Sequence, residues 1–521
     1  MKKKLPIGIQ TFSDIRNPNE NYAYIDKTGL AHLLITSCKY AFLSRPRRFG
    51  KSLFVDTLAE IFKGNKELFE GLEIYDKWDW NNTFPVINIS FGSGSYTNDV
   101  LIEKEFIRIF RENNKIHGFD IPFTKLEDSK ESFVLLIQAC YEKYKKKVVI
   151  LIDEYDKIIL DNIHFEDKSM SLKGRNTLKN FYSALKDNDR YLHFVFLTGV
   201  SKFSKLNLFS GLNNIEDITI DAHYSTITGY THDDLLNTFN EYLDGVDLNE
   251  VKLWYNGYNY FGEPIYNPFD ILLFLSKGCL FSNYWWETGN PSFLIEILKR
   301  KSYYLPELEN INVPKETLNA FDVEHIDLVA LLWQTGYLTF DKRYAISGRE
   351  YFKMKMPNKE ITYSLNELFF NYLTDFRSGS GSYQFNIINA LYEGDLAKIE
   401  KILFSLFAAI PYDNYVMKNM GTYEGYYASV MYSFMASLAY DIIPEDHTNY
   451  GRIDLTIKTQ NNIYLFEFKV DASPEKAIQQ IEQMKYYEKY QSENKDIYLI
   501  GIHFDSTKRN ISEFAWKKIN Q

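Results

Sequence analysis

The stretch Arg45-Pro46-Arg47-Arg48-Phe49-Gly50-Lys51-Ser52-Leu53 decides how the front half of this chain is read. An apolar run, Tyr40 to Leu43, precedes it. Phe54, Leu58, Ile61 and Phe62 follow at helical spacing. Strand, loop and helix in this order are the setting in which Gly-Lys-Ser binds phosphate. Gly50 lets the backbone approach an anion, and the N–H groups that open the helix point at it with the helix dipole behind them. Lys51 would reach the outer phosphates, and Ser52 would hold Mg2+ through its hydroxyl. The loop is degenerate at its start, where Arg45 stands in place of the usual Gly. A Gly-Lys-Ser tripeptide also occurs in ordinary basic turns, so the reading needs a partner motif.

Val148-Val-Ile-Leu-Ile-Asp-Glu-Tyr-Asp156 supplies it. A continuous apolar run predicts a strand buried on both faces, as in a parallel sheet. Its C-terminal end, where such sheets place ligands, carries two carboxylates. Asp153 would hold Mg2+ through water, and Glu154 would polarise the attacking water. Alone, the run is equally a buried strand entering an acidic turn; paired with Gly50-Lys51-Ser52, it predicts nucleotide binding. Another strand, His193 to Thr198, runs into Gly199-Val-Ser-Lys-Phe-Ser204. Thr198, Ser201 and Lys202 are candidates to sense a γ-phosphate there, against a plain strand-to-loop exit. Phe84 to Phe91 reads as a strand, and Phe133 to Tyr144 and Leu178 to Leu185 as helices. The alternation predicts a doubly wound, mainly parallel sheet closing near Asp217 to Ile220.

The 521 residues suggest about two to four domains. Apolar content of 45% and charged content of 25% describe an ordinary globular chain. A net charge of −10 excludes a uniformly basic nucleic-acid binder but leaves room for a local basic groove. Cys38, Cys140 and Cys279 show no metal or disulfide spacing, which fits a reducing cytosol. No run approaches membrane-spanning length, and the expected location is cytoplasmic. We expect three regions: a P-loop domain over 1–229, a mostly helical, aromatic-rich middle domain over 230–376, and an α/β domain over 384–521. The stretch Arg377-Ser-Gly-Ser-Gly-Ser-Tyr383 would be the flexible boundary.

The last region carries a second pattern. A helix over roughly Tyr423 to Tyr440 precedes Gly451-Arg-Ile-Asp-Leu-Thr-Ile457, a polar turn, and Ile463-Tyr-Leu-Phe-Glu-Phe-Lys-Val470. A helix from about Pro474 to Tyr490 and a strand from Ile497 to Gly501 follow. If the hairpin turn centres on Gln460 and Asn461, Asp454 sits opposite Glu467. Like charges directly opposite are unfavourable. A divalent cation with oxygen ligands would hold them, with Asp454 and Glu467 as its ligands. Lys469 stays on the face of Glu467, where it could orient water or steady developing charge, and Glu424 could complete the site from the upstream helix. The plainer reading is a solvated polar face with Lys469 as an ion-pair partner.

Gly451-Arg-Ile-Asp454, Glu467-Phe-Lys469 and the helix with Gln480-Ile481 and Lys485-Tyr486 resemble the PD-(D/E)XK nuclease superfamily. Leu5-Pro-Ile-Gly8, Tyr24-Ile-Asp-Lys-Thr28, the Arg45 to Ser52 loop, Ile152-Asp-Glu-Tyr-Asp156, Thr198 to Ser204 and Phe209-Ser-Gly-Leu-Asn-Asn214 resemble the AAA-ATPase-like domain often fused to it in bacterial proteins. The resemblance implies a P-loop NTPase sheet in front and a restriction-endonuclease-like α/β core behind. It implies Asp454 and Glu467 as metal ligands, Lys469 as catalytic lysine, Glu424 as the helix carboxylate and Gln480 as a supporting residue. ATP and Mg2+, with Mn2+ as an alternative, are the implied cofactors. Nucleic acid is the implied partner, DNA before RNA, and a homo-oligomer is compatible. The leading expectation is an ATP-regulated or ATP-driven nuclease; its rival is a nucleotide-dependent switch that binds a partner and keeps the nuclease fold as scaffold.

Overall fold

The computed structural model describes residues 2–519 except 95, 164–166, 203–213, 287–304, 306–307, 309–310, 319–326, 375–379, 412–423, 439 and 472–473. The chain divides into two compact units, Met1–Phe293 with Asn312–Asn358, and Leu294–Ile311 with Lys359–Gln521.

The first unit is organised by a five-stranded parallel sheet: β1 (Tyr40–Ser44), β2 (Val86–Ser90), β3 (Val148–Asp153), β4 (Leu192–Gly199) and β5 (Glu216–Asp217), in the order β2-β3-β4-β1-β5. Every residue of β1 and β3 is buried, as their unbroken apolar runs require when both faces are covered. Phe54, Leu58, Ile61 and Phe62 of the helix Lys51–Lys63 pack with Leu151, Phe194 and Phe196 of the sheet. The helices Asp99–His117, Ser129–Tyr144 and Ser169–Asp187 meet around Phe181, which stacks on Phe133 at 4.5 Å and takes Phe106 edge-on at 5.1 Å. Registers Leu43↔Thr198 and Ile152↔Leu197 bring the exits of β1, β3 and β4 side by side. That end of a parallel sheet is where ligands bind.

The expected boundary at residue 229 does not separate two bodies. Ala23 and Ile25 share one core with Leu235, Phe239, Val251, Tyr255, Ile271 and Phe274 of the helices that follow residue 230. Lys27 pairs with Asp234 at 2.7 Å, inside a capping box that Thr231 and Asp234 form. The N-terminal segment therefore folds onto the region expected to be independent. That region is also less helical than its aromatic spacing implies: β6 (Asn312–Pro314), β7 (Thr339–Ile346) and β8 (Arg349–Lys355) form an antiparallel sheet. Its hairpin turns at Ser347 and Gly348, both at positive φ (50° and 77°), as a tight two-residue turn demands.

The second unit carries the sheet β13-β12-β11-β10-β9, with β9 at Asp441–His447, β10 at Arg452–Lys458, β11 at Asn462–Val470, β12 at Asp496–Asp505 and β13 at Asn510–Ile519. β11 and β12 run parallel, and the other pairs antiparallel. Strands β9 and β13 extend the expected hairpin-plus-strand core at both edges. The expected linker is corrected in part: Ser380 to Tyr383 open the helix Ser380–Glu393, while 377–379 lie outside the described residues. The expected helix after the hairpin ends at Gln483; Lys485, at φ 47°, breaks it before a 3-10 turn from Tyr486. Among the described residues no helix is long and apolar enough to cross a membrane.

Candidate functional site

In the first unit the phosphate loop folds as a loop entering a helix. Gly50 caps the helix Lys51–Lys63 at φ 81°, a left-handed conformation natural to glycine. Arg48 takes φ 67° without that freedom, its guanidinium 4.8 Å from the Phe269 ring centroid. Lys51 Nζ donates to the carbonyls of Arg45 (3.0 Å) and Pro46 (2.8 Å), so its charge lies over the loop. Burial lowers the Lys51 pKa, against the pull of Asp153, Glu154 and Asp156. Burial raises the pKa of the Asp153 carboxylate, against the lowering influence of the neighbouring Ser52 hydroxyl and Lys51. The two expected Mg2+ contacts of this site are thus neighbours, and a hydroxyl with a carboxylate is hard oxygen chemistry that suits Mg2+. Glu154 sits at φ 51°, a conformation that costs a non-glycine residue about 1–2 kcal/mol.

Arg47, Arg48, Phe49, Gly50, Lys51, Ser52, Leu53 and Glu154 line one cavity of about 550 Å3. The opening strings of the sequence reach it too, through Pro6, Gly8, Tyr24, Ile25 and Lys27. Tyr230, Phe269 and Leu272 make its wall apolar, and Thr228 lies among them, 3% exposed, its hydroxyl without a hydrogen-bond partner among the described residues.

Three residues expected at the nucleotide serve elsewhere. The Arg45 side chain turns inward: it is 1% exposed, donates to the Thr219 carbonyl at 2.8 Å, and stacks 3.6 Å from the Tyr260 ring centroid. Burial lowers its pKa to about 10. Pro46 packs where a Cβ on Gly336 would meet its ring at 2.8 Å. The Thr198 hydroxyl donates to Leu43 O at 2.7 Å, inside the sheet. Of the other sensor candidates, Ser201 donates to the buried Asp156 carboxylate and Lys202 pairs with Asp217 at 2.6 Å. Asp156 also accepts from Val200 N, so it ties the exit of β3 to that of β4. Gly199 permits this: a Cβ there would lie 2.3 Å from Asp156 Oδ1. The motif reading gave Asp156 no role, although its spacing after Asp153 and the glycine opposite were in the sequence.

In the second unit the hairpin register runs from Lys458↔Ile463 to Leu455↔Phe466, and Asp454 is the next residue of β10 beyond that ladder. Asp454 Oδ2 accepts the N–H of Phe468 at 2.7 Å, the amide between Glu467 and Lys469. Lys469 Nζ lies 3.1 Å from Glu467 Oε1, with Glu467 1% exposed and the lysine side chain 25% exposed. The structure therefore brings Asp454, Glu467 and Lys469 together. Gln480 is on the helix Pro474–Gln483, which packs on β11 and β12. Glu424 opens the helix Glu424–Ala436, and its side chain lies outside the described residues. Among the described residues no three His, Cys, Asp or Glu side chains form a metal cluster. Two carboxylates fit Mg2+, which keeps several waters, better than they fit a cation needing a full protein cage. Gly451 has a spatial reason as well: a Cβ there would lie 2.4 Å from the Tyr486 hydroxyl.

Family models agree with this division. Residues 6–209 match one described as a predicted AAA-ATPase, and residues 422–514 match the PD-(D/E)XK nuclease superfamily. A protein of Azotobacter chroococcum mcd 1, described as an uncharacterized protein in the vnfD 5' region, is 42% identical over 517 residues, 99% of each chain. No solved structure matches the chain. With one relative similar from end to end and both domain models in place, the chain belongs to the family that fuses an AAA-ATPase-like domain to a PD-(D/E)XK nuclease superfamily domain.

Proposed function

We propose that this protein is a metal-dependent nuclease whose cutting of nucleic acid, DNA before RNA, is gated or driven by ATP bound in the first unit. The observation that carries the reading is the Asp454 carboxylate on the amide between Glu467 and Lys469, which gathers two anionic groups and one cation at a single place. A divalent cation there would supply Lewis acidity and neutralise charge on a phosphodiester. Asp454 and Glu467 would hold it. Lys469 would steady the negative charge that grows on the phosphate during attack, a contribution that is large in a water-poor site. Glu424 and Gln480 would support the site from their helices.

In the first unit Lys51, Ser52 and Asp153 would take the phosphates and Mg2+ of ATP, with Glu154 beside the attacking water. The apolar wall of Tyr24, Tyr230 and Phe269 would take the base. Lys51 would exchange the carbonyls of Arg45 and Pro46 for phosphate oxygens, so binding must reshape the loop. That exchange is the physical basis of a switch, and it favours gating over a passive scaffold.

The test is a cleavage assay on labelled duplex DNA, single-stranded DNA and RNA, with Mg2+ or Mn2+, with and without ATP, beside Asp454→Ala. Metal-dependent cutting that vanishes in the variant supports the reading, and its ATP dependence measures the gate. Cutting that survives in Asp454→Ala, or no cutting of any substrate while ATP still binds, would reject it.

A further inference from the structure

The residues beyond Lys469 on the same sheet face have no role in this reading. Ile463, Leu465, Ile497 and Leu499 pack in one cluster with Ile481 of the overlying helix. By strand alternation that face continues on β11 as Glu467 and Lys469, and on β12 as Gly501 and His503. The register pairs Glu467 with Gly501 and Lys469 with His503. In the next strand Ala515 pairs with Gly501. The row beside the buried glutamate is therefore glycine and alanine, which leaves the sheet surface low there. The row beside the lysine presents an imidazole.

That imidazole is held from one side only. The β12–β13 ladder shifts between His503 and Phe504, passing from Glu513 to Ile511, so Ser512 bulges out of it. Bulges of this kind re-aim side chains beside active sites. The Ser512 hydroxyl sits 2.8 Å from His503 Nδ1. The same hydroxyl lies 3.4 Å from the His503 carbonyl; in the tautomer in which Nδ1 accepts from Ser512, the ring proton is on Nε2, a donor suited to an anionic oxygen. Nε2 itself is buried and has no hydrogen-bond partner among the described residues. Buried polar atoms almost always have a partner, and one without asks for a ligand or a water. Other charges face the ring: Glu513 Oε2 is 4.0 Å from Nδ1, and His503 acts electrostatically on Asp471.

We propose that His503 is a further residue of the nuclease site, its Nε2–H donating to a phosphate oxygen of bound nucleic acid beside Lys469. The inference rests on the nuclease reading. Lys469 contributes a mobile point charge, and His503 a directed donor on a fixed strand. Together they would set the phosphate over the low row at Gly501 and Ala515.

The experiment measures affinity for a labelled 20-base-pair duplex in Ca2+ and single-turnover cutting in Mg2+, both with ATP present, on the full chain. Wild type is compared with His503→Ala, His503→Gln and Asp454→Ala, and the thermal midpoint of each is recorded. His503→Ala should weaken binding about tenfold, the scale of one hydrogen bond to a charged group. His503→Gln, which retains an N–H donor, should restore affinity to within about threefold, and neither should lower the midpoint appreciably. Wild-type behaviour in His503→Ala, or a loss that follows a lowered midpoint and is not restored by glutamine, overturns the inference while leaving the nuclease reading intact. A wild type that with ATP present neither binds duplex nor cuts, or an Asp454→Ala that cuts at full rate, overturns the nuclease reading and this inference with it.

Discussion

In the first unit the phosphate loop binds to itself. Lys51 is held by the carbonyls of Arg45 and Pro46, with Ser52 beside Asp153. In the second unit the charged residues are set by strands: Asp454 follows the Leu455↔Phe466 end of the ladder, and the Phe468 amide of β11, next to Glu467, fixes its carboxylate. A loop whose donors and acceptors satisfy one another must exchange partners to admit a ligand. A sheet site is already arranged, and its precision comes from the ladder rather than from the ligand. Substitutions in the first site should therefore appear in affinity and conformation, and those in the second in rate.

The largest effect should come from the strand site. Asp454→Ala is expected to lower single-turnover cutting by roughly 10³-fold, the upper range for losing one group that stabilises transition-state charge. Mn2+ binding, followed by calorimetry, should be lost in the same variant. If the rate falls only severalfold, the carboxylate is structural and the contrast between the two sites collapses.

Next is Lys51→Ala. Removing one partner of a charged, hydrogen-bonded contact costs about 2–5 kcal/mol, so the ATP dissociation constant should rise roughly 30- to 5000-fold. Titration calorimetry reads it directly. Cutting without ATP should be unchanged. A Lys51→Ala protein that binds ATP as wild type would mean that the self-bonded loop never opens.

These outcomes bear on what the chain declares in one dimension. The strand, Gly-Lys-Ser and helix succession was legible because periodicity and motif coincide at Tyr40 to Phe62, and the alternating apolar runs gave the parallel sheet. The hairpin that carries Asp454, Glu467 and Lys469 was legible because a hairpin register is fixed by its turn, and the turn at Gln460 and Asn461 was plain. Arg45 was not legible: its position in the motif suggests phosphate, and only the three-dimensional placement of Thr219 and Tyr260 gives its side chain another use. The core shared across residue 229 was not legible for a similar reason. Ala23 and Ile25 carry no sign of the core they share with Phe239 and Phe274, because that contact spans a long sequence separation. Strand β13 was missed because Asn510–Ile519 mixes lysines and aromatics in a way that suits an edge strand rather than a buried one.

Arg45→Ala isolates stability from binding. The substitution removes a buried cation–π contact of about 2 kcal/mol and leaves the Thr219 carbonyl without its donor. Urea denaturation should report a loss of about 2–3 kcal/mol, combining that contact with a modest hydrogen-bond term. ATP affinity of the folded protein should stay within about threefold, because one tenfold step already requires about 1.4 kcal/mol of direct contact. A loss of affinity much larger than this would return Arg45 to the nucleotide site and make the loop less self-contained than its hydrogen bonds indicate.

The smallest expected effect tests the apolar arm of the cavity. Thr228 is buried, and its hydroxyl has no hydrogen-bond partner among the described residues, while Tyr230, Phe269 and Leu272 line the same cavity. Valine has nearly the same shape and lacks only the hydroxyl. If the base of ATP hydrogen-bonds this oxygen, Thr228→Val removes one contact worth about 0.5–1.5 kcal/mol, a severalfold loss of affinity. The free protein should not lose stability, since an unpaired buried hydroxyl contributes none and its removal relieves desolvation. The loss should also differ between ATP and GTP, because the two purines present different groups at the same edge. Equal losses for both, or no loss at all, would place the base elsewhere and leave the arm a packing feature. A loss for ATP alone would make this hydroxyl the point at which a loop-built phosphate site becomes selective for its nucleotide.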